Sequence, residues 1–119
     1  MPALQWARVN ADLNLRLRRG AWYRVLELLP LEAVLDVRGA RVTVPRPFLE
    51  IVGTPPRRWT VVAELRDATQ VPPAWGGRYG VCPNCRERQP LERRSGDMRC
   101  GRCGGLFEVG WNERYLAAG

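Results

Sequence analysis

The side chains with the most chemistry to offer are four cysteines, which fall in two pairs, Cys82-Pro83-Asn84-Cys85 and Cys100-Gly101-Arg102-Cys103. A Cys-x2-Cys segment is short enough to turn back on itself and aim both sulfurs at one centre. Two such segments can therefore present four thiolates to a single tetrahedral metal ion. For Zn2+ this is the four-cysteine structural arrangement, a closed coordination sphere with no position left for a substrate. Three other uses of the same thiols stay open: a four-thiolate iron site, a pair of disulfides in an oxidising compartment, and thiol–disulfide exchange.

Little else in the chain could do chemistry. There is no histidine, so there is no Ser-His or Cys-His pair and no imidazole ligand. Glu108 and Glu113 are not set apart from solvated charge, and Arg78-Tyr79-Gly80 and Gly104-Gly105-Leu106 form neither a phosphate loop nor a dinucleotide fingerprint. The chain is read as non-enzymatic.

The cysteine pairs need elements to hold them. Gly104, just past the second pair, suits a backbone position with positive φ, while Arg86 holds the equivalent place after the first. Between the pairs, Leu91 and Met98 flank Ser95-Gly96, which predicts a β-hairpin turning there. Leu106-Phe107-Glu108-Val109 alternates like a strand. The stretch 79–111, with its aromatic lead-in (Tyr79, Val81), CPNC, hairpin, CGRCG and a strand carrying Phe107, resembles the zinc-ribbon family. The resemblance covers the last third of the chain. It implies a local fold built on Cys82, Cys85, Cys100 and Cys103, and no single function, because zinc ribbons occur in transcription factors, polymerase subunits, ribosomal and replication proteins, and enzymes. Arg86 is the departure, standing where the family usually has glycine. A rubredoxin-like electron carrier uses similar knuckles.

The rest of the sequence reads as short strands. Residues 1–12 are weakly patterned and predict a short helix or an arm. Leu13, Leu15 and Leu17 alternate with Asn14, Arg16 and Arg18, predicting a half-buried strand with a basic outer face. Trp22–Leu28 continues as a second strand, stopped by Pro30. Ala33–Arg38 and Arg41–Val44 flank Gly39-Ala40, a type II′ signature, and that loop sets Arg38 opposite Arg41 and Val37 opposite Val42. A like-charge pair directly across two strands is unfavourable without an anion between, so this register hints at a phosphate site. Pro45 and Pro47 break the ladder, Phe48–Val52 resumes it, and Trp59–Leu65 is expected to close or cover the same domain. In pattern, these strands resemble a small SH3-like barrel.

The resulting expectation is a mostly β protein: an SH3-like barrel over 1–65, a Pro/Gly linker over 66–78 and a zinc ribbon over 79–119, ending in a short helical turn near Trp111. A ribbon of that size cannot bury enough apolar surface alone. Metal binding supplies the difference, about 10–16 kcal/mol apparent at neutral pH.

The formal net charge is +7, and every one of the 19 basic residues is arginine. Arginine used to the exclusion of lysine points to a GC-rich coding genome and carries no functional signal of its own. The charge nevertheless suits a phosphate-bearing partner, because guanidinium groups grip phosphates bidentately. The candidate nucleic-acid contacts are Arg16, Arg18, Arg19, Arg38, Arg41, Arg86, Arg88, Arg93, Arg94 and Arg99. Trp22, Tyr23, Trp59 and Trp111 could stack on bases, and burial in the core is the favoured reading of each. The alternative partner is a protein of the transcription or translation machinery, since arginine-rich faces suit acidic proteins equally well. No apolar run is long enough for a signal peptide or a membrane span, and reduced thiols fit the same picture, so a cytoplasmic location is expected.

Overall fold

The computed structural model describes residues 4–10, 17–63, 75, 78–92, 96–113 and 115. They form a mostly β structure with a curled half-barrel sheet and a four-cysteine cluster. The chain divides into two compact units, Met1–Pro56 and Arg57–Gly119. No helix among the described residues is long and apolar enough to cross a membrane.

The first unit contains β1 (Trp6–Val9), β2 (Tyr23–Leu28), β3 (Glu32–Val37), β4 (Ala40–Pro45) and β5 (Leu49–Val52) in one sheet of order β4-β3-β2-β1-β5. Strands β2 to β4 form an antiparallel meander, and β5 returns beside β1 from Trp6↔Val52 to Val9↔Leu49. Ala7, Val9, Tyr23, Ala33, Leu35, Val44 and Leu49 are buried, mostly at every second position, as a sheet with one buried face requires. Between β4 and β5, Pro45 and Pro47 deny the ladder two donors and the chain makes a 3-10 turn at Arg46–Phe48. The Arg46 backbone N–H donates to the Leu31 carbonyl at 3.0 Å and its guanidinium to the Leu29 carbonyl at 3.1 Å, which pins that turn.

Three expectations for this part of the chain change. Residues 6–9 are neither helix nor arm but the strand β1. Its alternation is disguised because Arg8 is buried, its guanidinium donating to Glu50 at 3.0 Å and lying 4.5 Å over the Trp22 ring. The β3–β4 hairpin turns at Arg38-Gly39 and not at Gly39-Ala40. Both residues have positive φ, 53° and 87°, the type I′ turn whose twist matches that of the strands. The Asp36 carboxylate accepts the Gly39 N–H at 2.8 Å inside it. The pairing is therefore Val37↔Ala40, Asp36↔Arg41 and Leu35↔Val42. Arg38 does not face Arg41; Asp36 does, Arg41 pairs with Glu27 at 3.1 Å, and the hint of a phosphate site between two opposed arginines disappears. Of the strand expected at Leu13–Leu17, only Leu17, which is buried, lies within the described residues.

The third change concerns Trp59–Leu65. The second unit contains β6 (Arg58–Ala63), β7 (Arg78–Val81), β8 (Arg88–Pro90), β9 (Asp97–Arg99) and β10 (Leu106–Val109), in the order β8-β7-β6-β10-β9. Strand β6 does not close the first sheet. It is the centre of the second, antiparallel to β7 and parallel to β10, with Arg58↔Glu108 and Trp59↔Val109. Trp59 is fully buried there among Met98, Val109, Cys82 and Cys100, and its indole N–H donates to the Met98 carbonyl at 3.0 Å. Gly80 makes room for it, since a Cβ at that position would sit 3.1 Å from both Trp59 and Leu91. Arg78, assigned to the linker, opens β7. The rest of 66–77, Trp75 apart, lies outside the described residues.

The hairpin expected at Ser95-Gly96 is also replaced. Strands β8 and β9 lie at opposite ends of the strand order, and the hairpins are β7–β8 and β9–β10. Each turns at a cysteine pair. Near the end of the chain, Trp111–Glu113 is a turn.

Candidate metal centre

The two cysteine turns are wired alike. In the first, the Cys82 N–H donates to the Glu87 carbonyl at 2.9 Å and the Arg86 N–H to the Cys82 carbonyl at 3.1 Å. In the second, Cys100 donates to Gly105 at 2.8 Å and Gly104 to Cys100 at 2.9 Å. The backbone N–H groups of Asn84 and Arg102 point at the Cys82 and Cys100 sulfurs, each at 3.4 Å. Both turns place the residue after the second cysteine in the left-handed region, Arg86 at φ 67° and Gly104 at φ 76°. Glycine does this freely, as expected of Gly104. Arginine pays roughly 1–2 kcal/mol for it.

The wiring brings the four sulfurs within 4.8 Å of one another. Cys82 Sγ lies 3.8 Å from Cys103 Sγ, and Cys85 Sγ 3.5 Å from Cys100 Sγ. A tetrahedron of thiolates bound at about 2.3 Å has edges of about 3.8 Å, whereas a disulfide needs about 2.05 Å. All four are free thiols and they fit one metal ion. Cys82 and Cys100 are buried, Cys85 is half-buried and Cys103 is exposed. Burial pushes the Cys82 thiol far above its usual range and raises Cys85 for the same reason. Cys103 is lowered to about 6, first by a hydrogen bond from the Asn84 side chain and then by the Gly105 backbone N–H. A cation among the sulfurs reverses the cost of ionising the buried pair, since a coordinated thiol is deprotonated outright.

Three supporting side chains went unread in this role in the sequence. Gln89 on β8 donates its amide N–H to the Arg99 carbonyl at 3.0 Å and accepts the Gly101 N–H at 3.0 Å. One carboxamide thus takes the place of a backbone pair and ties the outer strand of the first hairpin to the second cysteine turn. Glu87 and Arg102, one from each turn, approach to 3.8 Å. Neither residue type nor spacing marks a Gln for this task, so no sequence signal could have found it.

The candidate nucleic-acid contacts fare unevenly. Arg16, Arg93 and Arg94 lie outside the described residues. Arg18 and Arg19 are half-buried beside the turn into β2, where the Arg18 N–H donates to the Tyr23 hydroxyl at 2.9 Å. Arg38 is exposed at its turn, and Arg41 is held by Glu27. Arg86 is half-buried, Arg88 lies 5.6 Å over the Tyr79 ring, and Arg99 donates to the Gly104 carbonyl at 2.7 Å, capping the second cysteine turn. Trp22, Tyr23 and Trp59 are buried and Trp111 half-buried, so these aromatics serve the core. Comparisons with protein-family models, curated proteins and solved structures return no match to the chain.

Proposed function

We propose that this chain is a zinc-ribbon protein in which Cys82, Cys85, Cys100 and Cys103 hold one structural Zn2+, and that it binds nucleic acid without catalysing a reaction. The observation that carries the metal reading is the set of sulfur separations, 3.5 and 3.8 Å across two identically wired turns. A closed four-thiolate sphere leaves the metal a structural role, and the Zn2+ would supply folding free energy and no reactive ligand. Free thiols in this pattern suit a reducing compartment such as the cytoplasm.

The nucleic-acid part rests on charge. A net charge of +7 carried wholly by arginine supplies the bidentate donors that phosphodiesters attract. A docking role on a protein of the transcription or translation machinery is the second reading, favoured by Leu26, Leu28 and Leu31, which lie close in sequence and are all exposed.

Metal content and colour test the first claim. A colourless protein with one zinc per chain is expected, and a red protein would instead hold iron in the manner of rubredoxin. Fluorescence anisotropy with duplex DNA, single-stranded DNA and RNA across a salt series tests the second. Affinity should fall with salt with a log–log slope of about −0.9 for each duplex phosphate neutralised, and absence of binding at low salt would sink it in favour of the protein partner.

A further inference from the structure

The two cysteine turns repeat each other's hydrogen bonds, yet they do not cover their sulfurs equally. In both, the first cysteine is sealed, Cys82 at 0% and Cys100 at 1% exposed, while of the second cysteines Cys85 is half-buried and Cys103 exposed. The packing accounts for the difference. Cys82 and Cys100 belong to the core around Trp59, Met98 and Val109, whereas Cys103 lies in a run of exposed residues from Gly101 to Gly104.

The exposed sulfur has a defined neighbour. Cys82 Sγ, from the facing turn, lies 3.8 Å from Cys103 Sγ, close to van der Waals contact. The Asn84 side chain of that same facing turn hydrogen-bonds the Cys103 sulfur and holds it to that side. Cys100, which shares a turn with Cys103, lies 3.5 Å from Cys85. Close sulfurs thus pair across the turns, one outward and one buried in each pair. An accessible thiolate beside a second thiol that can resolve it is the arrangement of redox-sensing cysteines, and a bound cation keeps such thiols deprotonated.

We infer that Cys103 is the site at which a hydroperoxide oxidises this centre and that Cys82 is its resolving thiol, an inference that rests on the metal reading above. The Cys103 thiolate attacks the O–O bond of the peroxide, takes one oxygen as a sulfenic acid and expels hydroxide. The Cys82 thiolate then attacks the Cys103 sulfur, forms the S–S bond and expels the second oxygen as hydroxide. Each thiolate loses one electron, the peroxide takes both, and two protons from solvent complete two waters. The sulfurs close from 3.8 Å to about 2.05 Å. Only Cys85 and Cys100 are left as thiolates, too few for a closed four-coordinate sphere, and Zn2+ is released.

The test exposes the full-length zinc-loaded protein to hydrogen peroxide. A chromophoric chelator reads free zinc, and tryptic digestion with mass spectrometry reads the sulfurs. Cleavage after Arg86, Arg99 and Arg102 separates Cys103 from Cys100 and from the peptide that carries Cys82 and Cys85, and fragmentation of that peptide assigns the bond. One zinc per chain should be released as a first product about 2 Da lighter than the reduced chain appears, carrying a Cys82–Cys103 bond. Dithiothreitol and added zinc should restore the starting state. Dimedone, which traps sulfenic acids, should label Cys103 before any other cysteine, and in Cys82→Ser its label at Cys103 should increase. That variant lacks one ligand, so the order of labelling and bonding in the unsubstituted chain decides the question by itself. A first bond between Cys85 and Cys100 or within either turn would overturn the inference, as would first labelling at Cys85, or zinc retained under conditions that oxidise free glutathione. A chain that takes up no zinc brings down the metal reading and this inference together, and metal content before peroxide is added distinguishes that result from the others.

Discussion

Arg8 and Trp59 show how single side chains are committed to holding this fold. Arg8 is an arginine with its side chain 4% exposed, held by a partly exposed Glu50 and by the face of Trp22. Arg8→Ala would remove both partners' reason for their positions and should cost about 2 kcal/mol, below the range for a fully buried pair because water reaches Glu50. Arg8→Met, which keeps the packing, should cost less; urea unfolding of both variants checks the order. Trp59→Phe removes the buried indole N–H that donates to the Met98 carbonyl, together with part of the buried ring system, and should lower stability by about 1–3 kcal/mol. The thiols set the pH response of metal uptake. Cys82 and Cys85 are raised by burial and stay protonated at neutral pH, so zinc must displace their protons, whereas Cys103, at about 6, has none to give above about pH 7. Zinc affinity should therefore rise with pH through the neutral range. Calorimetric titration in two buffers of different ionisation enthalpy should register net proton release.

At the scale of elements, the cysteine turns are built on hairpins that share β6 as a neighbour but not each other, and Gln89 is one of the side chains that join them. Gln89→Ala should cost about 1 kcal/mol. It should also weaken zinc roughly 5-fold in competition with a chromophoric chelator, because it releases the backbone that aims the second cysteine turn. The Gly101 amide should exchange faster in the same variant. The sequence carried the convergence of the four cysteines, because a Cys-x2-Cys turn is determined by residues within a few positions of one another. It carried the strands of β2 to β5 through their alternation. It could not carry the hairpin register: sliding β4 by two residues leaves Leu35, Val42 and Val44 on their original face, so the apolar pattern fits Arg38-Gly39 and Gly39-Ala40 equally. Strand β1 was hidden by a buried arginine that reads as polar, and the sheet to which the expected strand β6 belongs by its partner in the parallel ladder, β10, far along the chain.

At the scale of the whole molecule, the two sheets share no strand among the described residues: β1 to β5 pair among themselves and β6 to β10 among themselves. Chelation of the metal should therefore act unevenly. Amides of β7 to β10, whose hairpins close at the cysteines, should lose hydrogen-exchange protection, while those of the β2–β3–β4 meander keep theirs. Uniform loss of protection would mean that the ladders are not the cooperative units taken here.

The parallel pairing of β6 with β10 also bears on the order in which the chain can be made and folded. Both hairpins of the second unit join neighbours in sequence, but Arg58 and Trp59 pair with Glu108 and Val109, a contact whose loop must be closed before it returns any free energy. On the ribosome, β6 emerges before every strand that pairs with it, and Trp59 must wait for Met98 and Val109 before it can be covered. Throughout that wait an apolar strand is open to wrong partners. The cysteine turns complete themselves locally in the same interval, so under the metal reading proposed above the supply of metal during synthesis should set how long the strand is left uncovered.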